Sequence, residues 1–149
     1  MIDGVIIKPL EKFSDDRGWL AEIYRTDETD FRPMMGYISE TNPGIKRGPH
    51  EHVSQSDFFI FAIGEFDLYL WDNREGAPNY RQVEIHRVGG SNVTSVIVPP
   101  GVVHGYKCVS QTTGFTFNLP NALYKGEGKQ EEIDEVRWEI MPDSPFKID

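Results

Sequence analysis

The sequence predicts an all-β protein, a sandwich or barrel of short strands, and three observations carry this prediction. Apolar and polar residues alternate with the period of a half-buried strand, most clearly over residues 65–70. The helical period is nearly absent. Turn-forming residues separate the alternating segments, at residues 15–18, 42–44, 72–76, 89–92 and 99–101. Many short strands at such close spacing are typical of a sandwich or a barrel.

The strands are expected in chain order, each between two turn signals. They are residues 19–24, 35–41, 58–63, 65–71, 82–88, 94–98, 106–109 and 115–119. Residues 130–136 have helical character over about two turns. Residues 141–149 contain two prolines and are expected to form a loose tail or a packed arm. A length of 149 residues suits one domain with a real core, so residues 1–149 are assigned to a single domain.

Composition excludes several classes of protein. With 24 acidic and 15 basic side chains the net charge is −9, so the chain lacks the basic face of a protein that coats nucleic acid. The single cysteine rules out a disulfide framework and a Cys-based zinc site, and it fits a reducing compartment. There is no apolar run of membrane-spanning length and no signal-peptide pattern. We expect a cytoplasmic protein that binds neither nucleic acid nor membrane, whereas an anionic small molecule remains compatible with a local arginine cluster.

Three of the four histidines fall in two clusters that carry the candidate chemistry. His50 and His52 are two residues apart, so on a strand both side chains project to the same face. Asp57 opens the next strand, and a barrel can bring His104 opposite the pair. Three imidazoles and one carboxylate would then converge inside the barrel. Such a set forms either a metal site or a metal-free polar pocket.

The spacing of these residues resembles the two motifs of the cupin superfamily. The first is G-x5-H-x-H-x4-D-x6-G over residues 44–64, and the second is P-x-G-x-x-H over residues 99–104. An Asp stands at residue 57, where the superfamily usually has Glu. The resemblance implies a double-stranded β-helix, the jelly-roll barrel of the cupins. It also implies an alternative in which one divalent transition metal ion is held by His50, His52, Asp57 and His104.

A longer resemblance covers almost the whole chain. Its segments are F-x-D-x-R-G-x-x-x-E at residues 13–22, S-x-T-x-x-G-x-x-R-G-x-H at 39–50, D-x-R at 72–74 with Pro78, P-x-G-x-x-H-G-Y at 99–106, and Trp138. In this order they resemble the motifs of the dTDP-4-dehydrorhamnose 3,5-epimerase family. The resemblance implies an isomerase of deoxysugar and cell-surface polysaccharide biosynthesis. Its substrate would be a nucleotide-diphosphate-linked 4-keto-6-deoxy sugar, with no cofactor.

The same resemblance implies roles for individual residues. Epimerisation beside a ketone needs a base that removes the α-proton and an acid that returns one. The family's base matches His50, and imidazole suits this role because its ordinary pKa lies near neutral pH. Arg17 and Arg47 would bind the diphosphate or the keto sugar, since a guanidinium fits oxyanions. Glu22 would bind the nucleotide base or support the site. The expected substrate-binding set is completed by His52, His104 and Tyr37.

The chain departs from the family pattern at several site positions. By residue counting, the family's catalytic tyrosine falls on Phe117, its lysine on Asp57 and its glutamine on His52. The proton donor is therefore sought elsewhere. Tyr106 and Tyr124 are the catalytic candidates, with Tyr37 as a further one.

Several alternatives stay open. The run R-G-P-H-E-H at residues 47–52, with a tyrosine ten residues before its arginine, also resembles the sugar-nucleotide 3,4-ketoisomerases. The other two alternatives are a metal-dependent cupin enzyme and a non-catalytic cupin that binds a sugar nucleotide. Apolar strands on both sides of residues 65–71 suggest that a partner covers one sheet face, so we expect a homodimer.

Overall fold

The computed structural model describes all 149 residues and is built almost entirely of β-strands. The twelve strands are β1 (Ile6–Pro9), β2 (Phe13–Asp15), β3 (Gly18–Leu20), β4 (Tyr37–Thr41), β5 (Lys46–Glu51), β6 (Asp57–Ile63), β7 (Glu65–Asp72), β8 (Val83–Gly89), β9 (Thr94–Val98), β10 (Val102–Cys108), β11 (Gly114–Asn118) and β12 (Val136–Arg137). The helical segments are two 3₁₀ turns, Glu127–Lys129 and Trp138–Ile140. No helix in the structure has the length and apolar character needed to cross a membrane. The predicted all-β class is confirmed.

Two five-stranded sheets form the jelly-roll barrel that the cupin resemblance implied. The strand order is β1-β9-β6-β11-β4 in the first sheet and β12-β5-β10-β7-β8 in the second. All neighbouring strands are antiparallel, and most are not consecutive in sequence. Strands β2 and β3 form a separate hairpin that pairs only with itself.

The apolar core fills the space between the sheets but leaves one end of the barrel polar. Alternate residues of β6 face inward, and Asp57, Phe59 and Phe61 are 1%, 3% and 0% exposed. The two phenylalanines belong to a core cluster with Phe66, Leu68, Leu70, Val96, Val98 and Val102. Burying each such side chain contributes about 1.5–3 kcal/mol. Phe59 is the last apolar side chain on this face of β6, and Asp57, the next inward residue toward the barrel end, is polar. Polar groups therefore occupy that end of the barrel.

Some elements differ from the sequence expectation. The strand predicted at residues 19–24 ends at Leu20, and the one predicted at 106–109 begins earlier, at Val102. The helix predicted at residues 130–136 is wrong, because this segment is an extended strap. Its end pairs with β5 as strand β12, and its Asp134 hydrogen-bonds residues 53–55 rather than helical neighbours.

Residues 141–149 form the packed arm, the second of the two expected possibilities. Phe146 and Ile148 are 2% and 7% exposed. They pack against Tyr69, Trp71 and Val103 on the outer face of the second sheet. The sequence reasoning assigned the cover of such a face to a partner, whereas here the chain's own tail supplies it. The homodimer stays a prediction.

Candidate active site

Four polar side chains meet at the open end of the barrel. His50 on β5 and His104 on β10 are direct neighbours in the strand register, and their rings lie 4.5 Å apart between centroids. His52 lies one residue beyond the end of β5, and Asp57 is the first residue of β6. One potential ligand atom from each of the four residues lies within 4.8 Å of the others. The structure thus brings together the four groups that the sequence placed in one cluster.

Glycines allow the two histidine strands to approach closely. A Cβ on Gly48 would lie 2.8 Å from the carbonyl oxygen of His104, and a Cβ on Gly105 would lie 2.6 Å from that of Arg47. Gly48 also has a φ of +80°, a backbone conformation that other residues rarely adopt. Glycine at these two positions lets His50 and His104 stand side by side.

The Asp57 carboxylate is the anchor of the cluster. Its Oδ2 accepts hydrogen bonds from Nε2 of His52 at 3.0 Å and from Nε2 of His104 at 3.1 Å. Its Oδ1 accepts from the side-chain amides of Gln55 and Asn118, both at 2.9 Å. Burial alone would raise the pKa of Asp57, but the hydrogen bonds from the histidines outweigh it and hold this pKa well below its usual range. Asp57 is therefore a fixed anion.

His52 and His104 each face an oxygen acceptor on both ring nitrogens. Nδ1 of His52 bonds the main-chain oxygen of Asp134, and Nδ1 of His104 bonds that of Val102 at 2.9 Å. Burial lowers the pKa of His52, but the hydrogen bond and charge of Asp57 prevail and raise it to about 9. His52 is therefore an imidazolium at neutral pH.

His50 differs from its two neighbours in its hydrogen bonding. Neither of its ring nitrogens makes a hydrogen bond within the protein, and its side chain is 18% exposed at the cavity. Burial, reinforced by the nearby charge of His104, holds its pKa well below the ordinary histidine value. The nearest carboxylate oxygen, Oε1 of Glu135, lies 3.9 Å from Nε2. This distance is too long for a hydrogen bond but short enough to stabilise an imidazolium by charge.

An open cavity of about 520 Å³ lies over these histidines. Its wall includes His50 on β5 of the second sheet, His52 just after this strand, and Tyr37 on β4 of the first sheet. Tyr124 and Lys125 from the loop after β11, with the strap residues 131–135, complete most of the rim. The volume is in the range of small-molecule sites.

Other predicted site residues lie outside this cavity. Arg17 is on the exposed β2–β3 hairpin and is paired with Asp15. Glu22 lies away from the barrel opening, and its carboxylate forms an ion pair with Arg25 at 3.2 Å. Tyr106 is 5% exposed, and its hydroxyl bonds that of Thr116 at 3.0 Å inside the barrel.

Arg47 lies three residues before His50 on β5 but does not line the cavity. Its guanidinium donates to Oγ1 of Thr41 at 2.9 Å and to the main-chain oxygen of Glu40, across the gap between β5 and β4. The remaining N–H groups of this guanidinium are free for an anion.

Counting along the sequence assigned the family's tyrosine position to Phe117, but that side chain faces away from the cavity. Phe117 packs outside the first sheet, next to Phe58 and Ile60. The inward residues of β11 are Thr116 and Asn118, each 2% exposed. Neither of them is a tyrosine, so β11 does not supply a tyrosine as the proton donor.

Sequence reasoning missed four residues that shape the site: Gln55, Asn118, Asp134 and Glu135. Asn118 was detectable in principle, since it lies on an expected strand. Asp134 and Glu135 fall in the segment that was expected to be helical, and nothing local marks their distant partners.

The donor set also fits a divalent transition metal ion, since three imidazoles and a carboxylate are ligands that such ions accept. His50, His52, Asp57 and His104 would hold it. Metal binding through Nε2 of His52 or His104 would replace the hydrogen bond that this nitrogen now makes to Asp57.

Comparisons with known proteins identify the family and agree with the fold. The family model described as dTDP-4-dehydrorhamnose 3,5-epimerase matches residues 1–140. The spore coat polysaccharide biosynthesis protein SpsL of Bacillus subtilis is 35% identical over 113 residues, 75% of each chain. The probable low-salt glycan biosynthesis epimerase Agl13 of Haloferax volcanii is 31% identical over 134 residues, 88% of this chain and 86% of that one. A dTDP sugar isomerase structure from Desulfovibrio desulfuricans shares the fold with a TM-score of 0.82 at 20% identity, covering 97% of this chain and 88% of that chain. The chain therefore belongs to the dTDP-4-dehydrorhamnose 3,5-epimerase family.

Proposed function

We propose that this protein is an isomerase of a nucleotide-diphosphate-linked 4-keto-6-deoxy sugar and that His50 removes the proton beside the ketone. The observation that carries the proposal is the contrast among the three imidazoles. His52 and His104 are held as donors to Asp57, whereas His50 has free nitrogens at the cavity wall. Only a neutral imidazole with a free nitrogen can accept a proton from a substrate.

The surroundings of His50 support both states that a base must pass through. Before reaction, burial and the nearby His104 keep it neutral. After it has taken a proton, Oε1 of Glu135 at 3.9 Å is positioned to stabilise the imidazolium. The sugar would occupy the cavity next to His50. Its diphosphate would reach the free guanidinium N–H groups of Arg47, at the gap between β4 and β5.

Deuterium incorporation from solvent tests this proposal. Wild-type protein and His50→Ala are incubated in D₂O with dTDP-4-keto-6-deoxyglucose, and the label is located by NMR and mass spectrometry. We expect labelling beside the ketone by the wild type and a rate at least about 100-fold lower in the variant. His86→Ala is the matched control, because this histidine lies on β8 against Glu84, away from the cavity, and should leave the rate unchanged. No labelling by the wild type overturns the proposal.

The position of the label distinguishes the reactions that start with the same proton abstraction. Label at C3 alone indicates proton removal at that carbon, and label at C3 and C5 indicates removal at both. The configuration of the product shows which labelled carbons have been epimerised. A product with its carbonyl at C3 instead of C4 indicates 3,4-ketoisomerisation. Binding of the sugar nucleotide without exchange indicates a binding protein.

Metal dependence is the second candidate, favoured by the four ligand groups within 4.8 Å. The same exchange assay is run after dialysis against a chelator. Exchange that survives supports His50 acting without a metal. Exchange that disappears and returns on adding a divalent transition metal ion would place that ion at the centre of the site.

A further inference from the structure

We propose that Tyr37 is the catalytic acid that returns a proton to the sugar in the cavity that it shares with His50. This inference rests on the function proposed above. It names the second proton-transfer group, which the family's strand position does not supply in this chain.

Tyr37 and His50 come from the two different sheets of the barrel. Tyr37 is the first residue of β4, the edge strand of the first sheet, and His50 is on β5 of the second. Both side chains line the same cavity. A sugar ring between them would present one face to each. Inversion at a carbon requires removal of a proton from one face and delivery to the other.

The hydrogen bonds around Asn118 show that the Tyr37 oxygen accepts a hydrogen bond from the protein. Oδ1 of Asn118 accepts the main-chain N–H of Phe58 at 3.1 Å, which determines the orientation of the amide. The Asn118 Nδ2 group then donates to the Tyr37 oxygen at 3.0 Å and to Oδ1 of Asp57 at 2.9 Å. The Tyr37 oxygen is thus an acceptor within the protein. Its own proton has no protein acceptor and is free to point into the cavity.

The chemistry of this phenol suits an acid. Burial raises the pKa of Tyr37 to about 12, against the opposing effect of the Asn118 hydrogen bond, so it is protonated at neutral pH. In the reaction, the C–H bond beside the ketone breaks and its proton goes to His50, leaving an enolate. The Tyr37 O–H bond then breaks, and a new C–H bond forms on the other face of that carbon. The phenolate is held by the Asn118 N–H until water returns a proton to it and removes one from His50.

The other two candidate tyrosines fit less well. Tyr106 is 5% exposed, bonds Thr116 inside the barrel and does not line the cavity. Tyr124 lines the cavity and is as exposed as Tyr37, at 48% against 47%, but it lies on a loop and its hydroxyl makes no hydrogen bond that would orient it.

The test separates proton removal from inversion. Tyr37→Phe is assayed in D₂O with dTDP-4-keto-6-deoxyglucose for deuterium incorporation and for epimerised product. We expect exchange within about tenfold of the wild-type rate, because His50 is intact, but a loss of inverted product of at least about 100-fold. The surviving exchange also shows that the variant folds. Tyr80→Phe is the matched control, since this exposed tyrosine lies outside the cavity, and it should invert the sugar like the wild type.

Each other outcome has a defined meaning. Full inversion by Tyr37→Phe overturns the assignment of the acid while leaving the proposed function standing. Loss of inversion in Tyr124→Phe with full inversion in Tyr37→Phe transfers the role to Tyr124. Absence of exchange in the wild type overturns the proposed function and this assignment with it.

Discussion

At the scale of single residues, the roles proposed for the three histidines rest on the acceptors that each ring faces. His52 and His104 each face one oxygen of Asp57 and one main-chain oxygen, whereas His50 faces none. A hydrogen bond to a carboxylate favours a charged ring, and burial without an acceptor disfavours it. Residues of one type in one cluster thereby divide into two rings fixed against Asp57 and one imidazole with unbonded nitrogens, which is the proposed base.

The raised pKa of His52 predicts a loss of stability at alkaline pH. Its folded pKa of about 9 lies above the ordinary value of 6.5, so folding stabilises the protonated ring. This contribution is complete below pH 6.5 and is lost as pH rises through 9. The difference between the two values sets an upper limit of roughly 3 kcal/mol. Urea unfolding of the wild type between pH 6 and pH 10, with a chelator present, measures the decline.

His52→Gln is the matched variant for this measurement. A glutamine amide can still donate to Asp57 but does not titrate, so its unfolding free energy should decline less over the same pH range. The other ionisable groups that face His52 are Asp57, Asp134, His50 and His104, and they are common to both proteins. Equal declines would show that His52 is not the group responsible.

At the scale of elements, alternation predicts the interior of the strands but not the connections between them. In β6 the two-residue period puts Asp57, Phe59 and Phe61 on one inward face, but the same period fails at Ile63, which is 51% exposed. In β11 the apolar Phe117 packs outside the sheet and the polar Thr116 and Asn118 face inward, so apolar character alone does not identify the inward residues. Residues 130–136 have helical character when they are considered alone. The local pattern does not indicate the strap, because its partners, residues 52–55, lie about eighty positions away in sequence.

Asp134 is the residue that fastens this strap, and its removal should destabilise the protein. Its carboxylate accepts the main-chain N–H groups of Val53, Ser54 and Gln55, at 2.8, 2.9 and 2.8 Å, and the Ser54 hydroxyl. We expect Asp134→Ala to lower the unfolding free energy by about 2–4 kcal/mol, because these donors lose their acceptor. Glu132→Ala, an exposed neighbour on the same strap, should change it by less than about 0.5 kcal/mol. Similar urea midpoints for the two variants would show that the strap does not depend on Asp134.

At the scale of the whole molecule, the chain covers one outer sheet face with its own tail but leaves the β2–β3 hairpin uncovered. Phe13, Trp19 and Leu20 of this hairpin are 50%, 48% and 58% exposed. The hairpin has three residues in each strand and pairs with no other strand. A two-stranded hairpin of this kind is marginally stable by itself, so its apolar side chains point to an additional surface that packs against it.

We expect that surface to belong to a second copy of the chain, which gives the predicted homodimer a specific contact. Light scattering at micromolar concentration should then report twice the chain mass of 17.0 kDa. Trp19→Ser should weaken the dimer at least about tenfold, a loss of about 1.4 kcal/mol. Ile140→Ser removes a similarly exposed apolar side chain outside the hairpin and should leave the dimer intact. A wild-type mass of one chain would contradict the homodimer, whereas a dimer unaffected by Trp19→Ser would move the interface to another face.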